Sequence, residues 1–239
     1  MTRVTMPSNR WTAERISVLN VHEFRVGVNH SYLIESEDGI VLVDTGYRGN
    51  EHSILRRLHT LGRDDLRLIY ITHAHLDHYG SAAALRRLTG APIAVHREDA
   101  ETMTRGDTPL GVVRSWGRLM KMAMPLVERY LRPEPTVADI LFEGGESLEE
   151  YGINGVVLHT PGHTPGSTTL LVDGRLAFVG DLASTRMRPH AQWFYATDWT
   201  ALGKSIERLQ GLNPEWVYTG HGERPMTGDA FQKIKVKTS

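Results

Sequence analysis

Three imidazoles and one carboxylate fall within the stretch Thr72-His73-Ala74-His75-Leu76-Asp77-His78. Imidazole and carboxylate donors together suit zinc or a similar borderline divalent cation. Side chains alternate along an extended chain, so His73 and His75 project to one side and can share one metal. Asp77 and His78 come where the chain turns, and they point in another direction. One metal does not easily take all four donors. The spacing therefore reads as two adjacent metals, with His73 and His75 on the first and Asp77 and His78 on the second. The competing reading is a run of surface histidines at a helix start. Matching donors later in the chain disfavour it.

The elements around the cluster must position it. Leu66 to Ile71 reads as a buried strand, and Tyr79 to Leu88 as a helix with apolar Ala84, Leu85 and Leu88. The cluster thus sits at a strand-to-helix corner, where α/β folds place ligands. Before it, Ile16–Leu19, Ser31–Glu35 and Ile40–Val43 read as strands, the last two joined across Glu37-Asp38-Gly39. Asn50 to Leu61 reads as a helix stopped by Gly62. After the cluster come a short buried strand, Pro92–Val95, and two strands of a second sheet, Asp139–Phe142 and Val156–His159. Thr168–Val172 and Arg175–Val179 form a hairpin across Asp173-Gly174. Thr200–Leu209 is a helix, and Trp216–Tyr218 is the last clear strand. The basic tail after Phe231 is expected to fray. His30, His52, His59, His96 and His159 read as structural or solvated and stay outside the site.

Thr72 to Gly80 resembles the signature of the metallo-β-lactamase-fold hydrolase superfamily. Val43-Asp44-Thr45-Gly46, Thr160 to Gly166, Val179-Gly180-Asp181 and Thr219-Gly220-His221-Gly222 resemble its other motifs, in the same order. The resemblance implies an α/β fold, the four-layer αββα sandwich, as one domain over residues 1–239 with a helical insertion around 101–135. It implies that the first metal takes His73, His75, His163 and Asp181. The second takes Asp77, His78, His221 and the other oxygen of Asp181. Asp44 becomes a carboxylate that orients a ligand histidine. Two divalent cations, two carboxylates and a bridging hydroxide leave a core of about +1, which attracts an electron-rich carbonyl or phosphoryl oxygen.

The implied activity is that of a dinuclear hydrolase whose bridging hydroxide attacks an ester-like carbonyl of a lactone, ester or thioester. Asp77 is the catalytic residue, accepting the water proton and passing it to the leaving group. Zinc is the leading metal, with iron or manganese as alternatives. The nearest resemblance is to glyoxalase II and the lactonase-like members. True β-lactamases of this fold usually lack the bridging aspartate, so Asp181 argues against that activity. Glyoxalase II and the iron persulfide dioxygenases carry a Gly-Arg pair with an acidic residue where this chain reads Leu182-Ala183-Ser184-Thr185-Arg186. The lactonases have a tyrosine where this chain has Ser184, which leaves Tyr195 as a spatial substitute. Two alternatives remain. One is a phosphodiesterase or phosphohydrolase that clamps its anion with Arg186 and Arg188. The other is a non-hydrolytic iron oxygenase or metal-dependent sensor, which the full ligand set disfavours.

On the substrate side, residues 101–135 are rich in methionine and read as two helices broken near Pro125. Methionine makes adaptable apolar surface. Met120 and Met124 then belong to a lid over the substrate, or the insertion packs onto the domain or a second copy. Residues 182–198 offer Arg186, His190 and Tyr195 as substrate contacts, or form an ordinary solvated loop. The expected partner is a small molecule with an apolar portion, and a homodimer is the protein contact considered. A net charge of −1 over 239 residues advertises neither nucleic acid nor membrane. The absence of cysteine fits a reducing compartment. The polar start and the lack of a long apolar run give a cytoplasmic expectation.

Overall fold

The structure is a computed structural model and describes residues 19–114 and 117–235, with the side chain of Met120 outside that set. In chain order the first elements are β1 (Asn20–Val26), β2 (Asn29–Ser36), β3 (Gly39–Val43), α1 (Glu51–Thr60) and β4 (Leu66–Tyr70). There follow α2 (Leu76–Tyr79), α3 (Ala82–Thr89), β5 (Ile93–His96), α4 (Arg97–Arg105), β6 (Val112–Val113), α5 (Gly117–Leu131) and β7 (Ile140–Phe142). The second half holds β8 (Gly155–His159), β9 (Thr168–Val172), β10 (Leu176–Phe178), β11 (Ala183–Ser184), β12 (His190–Ala191) and β13 (Tyr195–Ala196). It closes with α6 (Trp199–Gly211), β14 (Trp216–Tyr218), β15 (Met226–Thr227) and α7 (Gly228–Gln232).

Strands β2, β3 and β4 are buried at nearly every position, as in strands covered on both faces, and β3 is apolar throughout. Their alternation divides them between two cores. Leu33, Leu42, Ile69 and Ile71 pack outward against Ile54 and Leu58 of α1, Leu85 of α3 and Met103 of α4. Tyr32, Ile34, Val41, Val43, Leu68 and Tyr70 face inward and meet Val157, Leu170, Val172 and Phe178 of the second sheet. Beyond that sheet, Ala177, Val179 and Val217 pack on Leu202, Ile206 and Leu209 of α6 and Phe231 of α7. The layers are helix, sheet, sheet, helix, as expected. The first sheet runs β1-β2-β3-β4-β5-β7 and the second β15-β14-β10-β9-β8. Each fully buried Leu, Ile or Val contributes about 1.5–3 kcal/mol, so three stacked cores hold the loops at the strand ends firmly. No helix among the described residues is long and apolar enough to cross a membrane.

Several elements differ from the sequence expectation. Asp139–Phe142 belongs to the first sheet, not the second: β7 pairs parallel with β5. Asp139 decides this, donating its backbone N–H to the Ile93 carbonyl at 2.8 Å and accepting the Ile93 amide on its carboxylate at 2.9 Å. The helix expected over Tyr79–Leu88 is interrupted, because the His78 carbonyl bonds to Thr45 N (2.6 Å) and Oγ1 (2.9 Å). Pro125 lies inside α5 without breaking it; it is exposed, as is Lys121 one turn earlier. Strand β1 begins at Asn20, whereas the strand expected over Ile16–Leu19 falls mostly outside the described residues. The chain after Phe231 is docked at least to Ile234, which is buried and whose carbonyl accepts from Gln210 Nε2 at 3.1 Å.

Candidate metal centre

Donors converge here because strands from both sheets end at one place. Asp44 follows β3, the His73–His78 run follows β4, Asp181 follows β10 and His221 follows β14. His163 lies in the loop from β8 to β9. Backbone bonds lock these loops together: Thr168 N donates to Thr72 O at 2.9 Å, Gly220 N to Gly180 O at 2.8 Å, and His30 N to Gly220 O at 2.9 Å.

The structure brings all seven expected donors together. Three overlapping sets have ligand atoms within 4.8 Å of one another: His73, His75 and His163; His73, His78 and Asp181; and Asp77, His78 and His221. Asp181 stands between the groups, its Oδ1 3.4 Å from His78 Nε2 and its Oδ2 3.2 Å from His221 Nε2 and 3.6 Å from His163 Nε2.

Hydrogen bonds outside the cluster assign the tautomers. The Thr72 hydroxyl donates to Asp44 Oδ2 (2.9 Å), so it accepts from His73 Nδ1 (3.0 Å). That leaves His73 Nε2 with a free lone pair. His78 Nδ1 donates to the same Asp44 oxygen at 2.8 Å, so Asp44 orients the His78 ring. His75 points its Nε2 at Pro109 O (3.0 Å) and turns Nδ1 inward. His163 points Nδ1 at Tyr195 O (3.4 Å) and turns Nε2 inward.

These donors fit divalent cations. His73 Nε2 and both oxygens of Asp181 are buried without a hydrogen-bond partner. Such orphaned polar atoms are costly unless something charged sits between them. His75 Nδ1 and His163 Nε2 lie 3.0 Å apart, close to the roughly 3.3 Å between two nitrogens on one tetrahedral zinc.

Electrostatics divides the cluster. Burial, then the neighbouring imidazoles, pushes His73 well below the usual histidine range and His163 down to about 3. Burial also lowers His75. His78 and His221 go the other way. Burial opposes their charging, but Asp44 and Asp181 outweigh it at His78, and Asp181 and Asp77 lift His221 to about 10. Asp77 and Asp181 are both depressed: burial opposes ionisation, and His78 and His221 overcome it. The result is a neutral three-histidine face beside a charged half.

A cleft of about 1510 Å³ opens over the donors. Of the expected substrate contacts, Met124, Arg186, His190 and Tyr195 line it, while the Met120 side chain falls outside the described residues. The Tyr195 ring is buried, 4.8 Å from the ring of His163 and 5.5 Å from that of His75. Ser184 instead holds the His221 loop, donating to the His221 carbonyl at 3.0 Å.

Sequence reasoning missed three supports. Asp99, on α4, accepts from Ala74 N (2.8 Å), Thr164 Oγ1 (2.7 Å) and Gly166 N (2.8 Å), joining the first histidine loop to the third. In the sequence it reads only as an acidic residue suited to a helix start. Asn29 donates to Asp77 O at 2.8 Å. His30 lies 2.9 Å from Gly222 O and 2.6 Å from Glu23, holding the turn after His221. Its only signal was a polar residue ahead of a buried strand.

Known proteins share this arrangement of chain. The family model described as the Metallo-beta-lactamase superfamily matches residues 24–221. The chain is 29% identical over 234 residues to the probable metallo-hydrolase YflN of Bacillus subtilis (strain 168), covering 89% of this chain and 87% of that one. It is 27% identical over 204 residues to the hydroxyacylglutathione hydrolase GloC of Haemophilus influenzae, covering 84% of this chain and 88% of that one. Among solved structures, TTHA1623 in a di-iron-bound form superposes with a TM-score of 0.67 at 28% identity, over 89% of this chain and 98% of that one. Since the family match runs from β1 to His221 and so takes in every donor described above, the chain belongs to the metallo-β-lactamase superfamily.

Proposed function

We propose that this protein is a dinuclear metal-dependent hydrolase acting on an ester-like carbonyl, in a thioester, ester or lactone. The observation that carries the reading is Asp181, whose two buried oxygens make no hydrogen bond and lie between a neutral three-histidine face and the Asp77–His78–His221 group. His73, His75 and His163 would hold one cation, Asp77, His78 and His221 the other, and Asp181 both. Zinc suits this donor set, and iron is the alternative that the di-iron form of TTHA1623 brings forward. When bound, the cations supply a nucleophilic water at neutral pH and polarise the substrate carbonyl.

The remaining roles belong to side chains. Asp77 is anionic and lies 3.3 Å from His221 Nε2, at the open side of the cluster. It accepts a proton from the attacking water and returns it to the leaving group. Tyr195 roofs the three-histidine face. Its hydroxyl stays protonated at neutral pH, because burial and the nearby Asp181 push its pKa up, and in this reading it donates to a substrate oxygen in the cleft that Tyr195 lines. Met124 and Phe194 give the cleft apolar wall for the acyl portion. The likeness to GloC, named for hydrolysis of an acyl-glutathione, supports a thioester among the candidates.

Metal analysis of the purified protein together with indicator-monitored acid release tests the proposal. The panel holds thioesters, esters, lactones and phosphodiesters, with His75→Ala as the control. Acid release from carbonyl substrates that disappears in the control is expected. Release from phosphodiesters alone would overturn the carbonyl reading.

A further inference from the structure

The cleft wall away from the metal donors carries charge of one sign. Arg114, Arg186, Arg188 and Lys235 line it, while among the described residues its only carboxylates are Asp77 and Asp181 at the metal centre. Away from the cleft, Arg63, Arg86, Arg87, Arg97 and Arg132 each sit against an Asp or Glu, while others such as Arg25 and Arg67 carry no ion pair among the described residues. Arg186, Arg188 and Lys235 have no such partner among the described residues. The whole chain carries −1, so this wall is a local segregation of charge and not the surface of a basic protein.

The cations are also mounted in a fixed relation to the metal centre. β11 and β12 pair through Ala183 with Ala191 and Ser184 with His190, which places Arg186 and Arg188 in the hairpin's connecting turn. The base of that hairpin rests on the His221 loop. Thr185 N and Ser184 Oγ both donate to the His221 carbonyl, at 3.1 and 3.0 Å, and Thr185 Oγ1 donates to Arg224 O at 2.8 Å. The hairpin starts two residues after Asp181. An anion held at its turn therefore has a defined offset from a group lying against Asp77 and Asp181.

We propose that the substrate carries an anionic group, a carboxylate or a phosphate monoester, beyond its scissile carbonyl, and that Arg186 and Arg188 select it. The inference rests on the hydrolase reading above and narrows its substrates to anion-tailed acyl compounds. Guanidinium forks match both oxyanions in a bidentate manner. A one-signed cleft with low-dielectric walls also concentrates such substrates at its mouth.

The test compares matched p-nitrophenyl esters on zinc-loaded protein: the neutral hexanoate, the adipate monoester with its terminal carboxylate, and an analogue ending in phosphate. The anionic tails should raise kcat/KM by about tenfold or more, mainly through KM, with the advantage shrinking in about 0.5 M salt. The doubly charge-reversed R186E/R188E protein should lose or invert the ratio. Both residues are exposed, and circular dichroism with metal content verifies that the variant is folded. The two tails separate a carboxylate from a phosphate source, and a preference for either supports the proposal. A second readout does not need turnover: calorimetric binding of the uncleavable mono-anilide of adipic acid, weakened about tenfold in the variant. Equal turnover of neutral and anionic esters, unchanged by the variant, would overturn the anion site and leave the hydrolase standing. Charge-dependent binding of the anilide without cleavage of any ester would support the anion site and overturn the hydrolase.

Discussion

Asp44 sets the tautomer of two histidines, His78 directly at 2.8 Å and His73 through the Thr72 hydroxyl. One carboxylate therefore reaches both halves of the centre. Its backbone adopts φ of 59°, a left-handed conformation that Asn tolerates as well as Asp. Asp44→Asn is consequently a clean test. It keeps size and backbone but turns an amide donor toward groups that need an acceptor. Metal affinity should fall about 10–100-fold, read by competition with a chromogenic chelator. Unchanged affinity would mean that the tautomers are held by something else.

Asp99 ties the loop of His75 to the loop of His163 by accepting three hydrogen bonds while nearly fully buried. Asp99→Ala leaves three buried donors without an acceptor, at about 1–3 kcal/mol each. Urea unfolding of the metal-free protein should show a loss of about 3 kcal/mol or more, with Asp99→Asn in between. A loss below about 1 kcal/mol would show that water replaces the carboxylate and that the loops do not depend on it.

Much of this was legible because it is local. The seven donors are recognisable from loops at strand ends, and the strands over Ser31–Glu35, Ile40–Val43 and Leu66–Ile71 are legible from their apolar residues. What escaped is what joins distant segments. Asp99 acts on Thr164, 65 residues away, and nothing in its neighbourhood announces that. Three residues of β7 carry too little pattern to say which sheet accepts them; Asp139 on Ile93 settles it. Thr45 ends α2 by taking the His78 carbonyl, a tertiary contact that overrides a good helical pattern. The two-residue strands β11, β12 and β13 are too short to leave any periodicity, so the pairing that mounts Arg186 and His190 on the cleft wall had to be read from the structure.

The loop of His163 depends on a close approach of backbones. Gly162 has φ of 136°, and a Cβ there would collide with the backbone of Leu202 in α6. Its carbonyl also accepts from Thr197 N and Asp198 N at 2.8 and 2.9 Å, just ahead of the helix. Gly162→Ala should therefore cost about 2 kcal/mol or more and lower the metal stoichiometry by displacing His163. Thermal unfolding and metal analysis of the same sample measure both. Full metal content in a destabilised variant would separate the packing role of Gly162 from its role in placing the histidine.

The divided charge of the centre predicts two different pH dependences. His163 titrates near 3 in the folded metal-free protein because burial penalises its charged form, against an ordinary value of 6.5. The unfolded chain thus takes up a proton that the folded chain refuses. The contribution of His163 to stability is full above about pH 6.5 and falls as the pH drops toward 3. His221 is the reverse. Its folded value is raised to about 10, so its contribution is full below 6.5 and is lost as pH rises through 10. For metal binding the consequence is direct, since a cation needs neutral imidazole. The His73–His75–His163 face is already neutral at pH 7 and should bind with little proton release. The face containing His78 and His221 must lose protons first, so its affinity should rise about tenfold per pH unit for each proton displaced between pH 6 and 9. Calorimetric zinc titrations in buffers of different ionisation enthalpy count those protons at each step. A first cation that releases as many protons as the second would contradict the division of charge between the two halves.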